Sequence, residues 1–402
     1  NQSITLNTAT NAFTGAVSIT TSGTGGATVI SGGTDLNLAA VNVGAGFTAS
    51  TVGNLNVTQN LTASGSVSLT ADSDGNTTGA FSVFNGVTVN SGGGTITVTA
   101  DDFILNGTGA INAGSGSVNL RQSNAVPIDL GSANTGVGNF SVSNAEFNAI
   151  TTTGTLTIGL DSIASPVTAD EVDAGSKNLT ILTNSTINDD DDTGDAISTT
   201  GTLILQSAGP IGNLGGPQGL NINVGTLNLN GTGGSDAFIT DSGANGGTLL
   251  GNLTTGGLGN INYTLALGAL TVGTVTTAGN VTLAANAGSI NDNADDGLAD
   301  ISGNAVTLTA LGSGNGIGTV NGTFDTDVAT LNINTGSGGA SLLDIGDVNV
   351  TGFSSAANGS VSLSALGTLT LSATIASTGT GTVSLTGDAD GNNTGGVVQG
   401  VG

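Results

Sequence analysis

Four aspartate clusters hold the densest potential chemistry in this sequence. They are Asp72, Asp74 and Asn76; Asp189, Asp190, Asp191 and Asp192; Asp292, Asp295 and Asp296; and Asp388, Asp390 and Asn392. Oxygen ligands at i, i+2 and i+4 of a loop can converge on a hard cation, and calcium takes about six to eight of them. On that chemistry Asp72, Asp74, Asn76, Asp189, Asp191, Asp292, Asp295, Asp388, Asp390 and Asn392 are the candidate calcium ligands. The helix-loop-helix calcium pattern argues against them. It wants Gly at the sixth loop position and Glu at the twelfth. Counted from Asp72 those positions hold Thr77 and Val83, and counted from Asp388 they hold Asn393 and Gln399. The simpler reading is acidic turns whose side chains bond their own backbone in solvent. No cofactor is expected other than this calcium.

The rest of the ionisable inventory narrows the function. Twenty-eight acidic residues face only Arg121 and Lys177, His is absent, and the formal charge is -26. Phosphate recognition needs cationic side chains, so nucleic acid is excluded as a partner. An anionic membrane surface repels such a chain. A polysaccharide lyase needs a basic residue for proton abstraction, and a glycosidase needs two facing carboxylates. Sugar-binding aromatics are scarce, with Tyr263 the only Tyr and no Trp. The expectation is a protein without enzymatic activity. Arg121 in VNLRQ reads as a solvated outward charge, and Phe81, Phe84, Phe103 and Phe140 as core or groove-filling residues.

The elements that carry these loops are short alternations of apolar and polar residues. Val67-Ser-Leu69, Ile96-Thr-Val98, Val118-Asn-Leu120, Leu156-Thr-Ile158, Leu179-Thr-Ile181, Val281-Thr-Leu283 and Leu331-Asn-Ile333 each read as a strand with alternate side chains inward. Intervals of 24 or 25 residues separate Leu179, Leu203 and Leu227, and again Val281, Val306 and Leu331. That cadence fits one coil of a parallel β-helix, whose inner face is covered only when the next coil stacks on it. Tandem β-sandwich domains of about 100 residues are the alternative, because a longer period is also present. Residues 185–288 and 289–392 form an internal repeat of about 104 residues, seen in STINDDDDTGD from Ser185 against SINDNADDGLAD from Ser289. VSLTADSDGNTTG at 67–79 recurs as VSLTGDADGNNTG at 383–395, an offset of 316. The solenoid reading makes residues 1–402 one continuous array, about 17 coils at a rise of about 4.8 Å each. Its core must be thin and aliphatic, since aromatics make up 3% of the chain while Gly supplies 70 residues. The absence of Cys removes disulfides and thiolate metal sites, and the absence of Met points to a processed chain or a segment of a longer one.

The runs GSVSLTADSDGNTTGAFSVFNGVTVNSGGGTITVTADD, from Gly65 to Asp102, and AGNVTLAANAGSINDNADDGLADISGNAVTLTA, from Ala278 to Ala310, carry a resemblance. They resemble the repeat regions of large secreted bacterial adhesins of the filamentous-haemagglutinin type. That resemblance implies a right-handed parallel β-helix, export through an outer-membrane partner, and residence outside the cell or on its surface. The Asn-Pro motifs of that family's secretion domain are not found in this sequence. The functional expectation is the structural shaft of a secreted adhesin or extracellular fibre. Coils pair through their backbones, and the chain either self-associates into a filament or continues in a longer polypeptide. The alternative is a calcium-dependent adhesive or surface-coat module with a cell-surface or host ligand. No apolar run approaches the length of a membrane span, so membrane insertion is not expected.

Overall fold

The alternating triplets form strands, and the strands stack in register. The computed structural model describes residues 2–31, 33, 35–131, 138–190, 194–212, 219–318, 320, 322–356, 358–377 and 379–400. Every strand pairing among the described residues is parallel, and the fold is an all-β solenoid of stacked coils. Parallel pairing sets aside the tandem sandwich, whose sheets are antiparallel. Packing divides the chain into two compact units: Asn1–Asp191 with Ala196–Gly201, and Asp192–Asp195 with Thr202–Gly402.

In the first unit the coils stack into columns of inward side chains. One column runs Ile4, Ala27, Phe47, Val67, Ile96, Val118, Leu156 and Leu179. A second runs Leu36, Leu55, Phe81 and Phe103, and a third Val41, Leu61, Val89, Ile111 and Ile150. Like sits on like because a parallel register with a period of two puts the same face inward in every coil. The Phe81 and Phe103 rings stack with centroids 5.9 Å apart. Phe140 is also buried, but Phe84 is exposed, which corrects the core expectation for that residue. The strand Ala80–Val83 ends just before it, and the Phe84 carbonyl accepts from Val87 N to begin a turn. Arg121 is half-buried on the outward face of its strand, level with Thr99.

The coil after Val118 departs furthest from the expected cadence. Val118 pairs with Leu156, 38 residues on, because residues 125–150 add two strands and a helix. Ile128–Gly131 pairs with both Phe140–Ser143 and Val167–Asp170. The helix Asn144–Ala149 opens on a capping box in which the Ser143 side chain accepts from Glu146 N and the Glu146 carboxylate accepts from Ser143 N. Such reciprocal bonding satisfies two backbone donors that a short helix otherwise leaves open. Phe147 is the buried residue of this helix.

In the second unit one column runs Ala237, Ile261, Val281, Val306, Leu331 and Val350, and another Leu270, Ile290, Ile317, Ala340, Val361 and Val383. The outward positions form polar ladders. Asp236 Oδ1 accepts from Asn260 N at 2.7 Å, Asn260 Oδ1 from Asn280 N at 2.9 Å, and Asn280 Oδ1 from Asn304 Nδ2 at 3.0 Å. Corners between strands are tight enough to require glycine. A Cβ on Gly288 would stand 1.7 Å from the Gly268 carbonyl oxygen, so any other residue would force the two coils apart. No helix among the described residues is long and apolar enough to cross a membrane.

Candidate functional site

The first and last aspartate clusters adopt the same loop. Asp72, Gly75 and Thr77 have φ of 48°, 67° and 69°, while Asp388, Gly391 and Asn393 have 56°, 70° and 64°. Asp72 Oδ1 accepts from Asn76 N at 2.9 Å, and Asp388 Oδ1 accepts from Asn393 N at 3.1 Å. Asp74 Oδ2 accepts from Asn76 Nδ2 at 2.9 Å, and Asp390 Oδ2 from Asn392 Nδ2 at 2.7 Å. Thr78 Oγ1 donates to Asn76 Oδ1, and Thr394 Oγ1 to Asn392 Oδ1. Oxygens that a calcium ion would need are thus engaged within the turn, as Asx turns engage them. Their surroundings differ: Asp72 is buried, its Oδ2 accepting from Ser123 Oγ at 2.5 Å and Asn124 Nδ2 at 3.1 Å, whereas Asp388 is half-buried.

Asp189 closes the strand Ile187–Asp189 and is half-buried. Asp191 and Asp192 lie outside the described residues. Asp190 lines a cleft of about 340 Å³ with Asp129 and Asp170, where Asn139 Nδ2 donates to Asp129 Oδ2 at 2.6 Å.

The third cluster is brought against two residues that the spacing did not single out. Asp292 and Asp300 are buried on either side of the segment Asn293–Ala299, exposed from Asn293 to Leu298, and Asp325 is buried on the adjoining coil. Asp300 N donates to Asp325 O, and Asp325 N donates to Asp300 Oδ2, both at 2.9 Å. Asp292 Oδ1 accepts from Ala294 N at 2.7 Å. Asp295 and Asp296 sit in the exposed segment itself. Burial, reinforced by Asp292 and Asp325, raises the Asp300 carboxyl to about 8. Burial and the charges of Asp292, Asp295 and Asp296 raise Asp325 to about 6.

Other buried or half-buried carboxylates are met by donors. Asp241 Oδ2 accepts from Tyr263 Oη at 2.7 Å and Thr248 Oγ1 at 2.8 Å, and its Oδ1 from Gly243 N at 2.8 Å. Asp344 accepts from Thr326 Oγ1, Val328 N and Gly346 N. Asp102 accepts from Phe103 N and Ser141, and Glu146 from Ser143 and Leu105 N. Burial pushes all four carboxyls above their ordinary range, and these hydrogen bonds pull them back. A signal for Asp241, Asp292 and Asp344 exists in the sequence. Each stands two residues beyond the last inward apolar residue of its alternation, as in Ala237, Ile239, Asp241. An Asp in that register points inward.

Among the described residues, no group of three or more acidic, His or Cys side chains gathers in a geometry that could hold a metal ion. The fold defines the chain's class, a parallel β-solenoid. No family model, curated protein or solved structure matches the chain.

Proposed function

We propose that this chain is a non-enzymatic structural solenoid, the shaft of a secreted surface adhesin or extracellular fibre, extended by backbone pairing between the coil edges of successive copies. The observation that carries this reading is the parallel stack itself, in which a strand such as Val281–Ala285 pairs on both sides, with Ile261–Leu265 and with Ile301–Ala310, through its backbone. A coil covers its inner face only when another stacks on it, so such a fold lengthens by adding coils. Self-repulsion from the charge of -26 favours a defined edge contact over lateral clumping. The scarcity of cations and sugar-stacking aromatics supports the non-enzymatic part of the reading.

Sedimentation velocity tests it. The parent chain is expected to grow into larger species across a hundredfold rise in concentration, and the pair Val397→Asp and Val398→Asp to hold it at the smallest species. A parent that sediments as the same small species throughout would count against end-to-end pairing.

A further inference from the structure

Asp292 differs from Asp241 and Asp344 in how its carboxylate is met. Those two accept from three donors each. Asp292 is 1% exposed, with Oδ1 bonded to Ala294 N and, among the described residues, no partner for Oδ2. A carboxylate oxygen held away from water without a donor is costly, and a bound cation removes that cost. Asp292 lines a cavity of about 210 Å³ together with Asp300 and the exposed Asp296. Ala294, Ala299 and Leu298, the last 69% exposed, add apolar surface to its walls. Residues 202–402 contain no Lys, Arg or His, so this stretch of chain supplies no cation of its own.

The oxygens on offer decide which cation fits. Calcium takes about six to eight of them, and among the described residues no three acidic side chains gather to hold a metal. A guanidinium prefers a carboxylate with both oxygens open to its planar fork. Asp292 has spent Oδ1 on Ala294 N, and Asp300 has spent Oδ2 on Asp325 N. A primary ammonium asks for less, being a compact charge with three donors on a stem that lies along apolar surface. We propose that this cavity receives a lysine side chain of a basic partner protein, its ammonium donating to Asp292 Oδ2 and its stem passing Leu298. The formal charge of -26 draws such a partner in. This contact lies on the side of the coils and is independent of end-to-end association.

N-acetyl-lysine methylamide is the probe and its uncharged norleucine analogue the control, in about 0.15 M salt, which screens distant charges. Nuclear magnetic resonance of the probe is expected to show saturable binding of the lysine compound alone. Asp292→Asn is expected to weaken that binding about tenfold or more. Asp296→Asn, an exposed change that leaves the core untouched, is expected to weaken it about threefold. Asp388→Asn, in a loop elsewhere on the chain, is expected to leave it unchanged. Should Asp292→Asn fail to fold, the contrast between Asp296→Asn and Asp388→Asn decides. Binding that does not saturate, that the norleucine compound matches, that Asp388→Asn weakens as much as Asp296→Asn, or that an equal concentration of calcium displaces would overturn the ammonium site.

Discussion

The loops at 72–78 and 388–394 share a conformation and differ in their cover. Both put their Asp, Gly and fifth-following residue in the left-handed region, and both close the same Asp to Asn and Asn to Thr bonds. Loop shape is thus set within the segment by residues that tolerate positive φ and bond their own backbone. Burial is set by what stacks beyond it. Ser123 and Asn124, two coils on from Asp72, reach back to its carboxylate, whereas among the described residues Asp388 bonds within its own turn and to the preceding coil. The same split runs through the strands that lead in. Val67 and Leu69 are fully buried, while Val383 is exposed and Leu385 half-buried. A solenoid coil acquires its core from its neighbours, and the 316-residue copy isolates that contribution from the local one.

If cover is the difference, equal substitutions must have unequal effects. Leu69→Ala should cost about 3–4 kcal/mol and Leu385→Ala about 1 kcal/mol, because only the first empties a closed site. Chemical denaturation followed by circular dichroism measures both, and equal losses would mean that stacking adds little. Asp72→Ala should cost about 3 kcal/mol, since it removes the buried acceptor of the Ser123 hydroxyl and one of two carboxylate acceptors of Asn124 Nδ2, and places Ala at a positive φ. Asp388→Ala meets the same positive-φ cost, but its partners are free to turn to water, so it should cost less, about 1 kcal/mol. Calcium should have the smallest effect. If the two loops are turns, about 5 mM calcium should shift the thermal midpoint by less than about 1 °C, since only a ligand of the folded state raises it. A clear rise that Asp388→Ala or Asp72→Ala removes would restore the cation reading for that loop.

Much of this was legible because a strand that buries one face must alternate. Val67-Ser-Leu69 and Val281-Thr-Leu283 show the inward residues directly, and the 25-residue step from Val281 to Val306 to Leu331 is the observed register. The 38-residue step from Val118 to Leu156 was not anticipated, because the added strands Ile128–Gly131 and Phe140–Ser143 look like any other coil segment. The helix had its signal in Ser143-Asn-Ala-Glu146, a capping box without the sustained apolar spacing that marks longer helices. Asp292 was visible as part of an acidic run. Its partnership with Asp300 and Asp325 was not, because contact between residues on successive coils depends on loop lengths that composition leaves open. Cover over Asp72 was hidden for the same reason, since Ser123 lies 51 residues away.

The central proposal is that copies of this stack of coils associate end to end into a filament. Electron micrographs of the purified chain at rising concentration test it most directly. Unbranched filaments of constant width that lengthen with concentration are predicted, and isolated particles of one size at every concentration would contradict the claim.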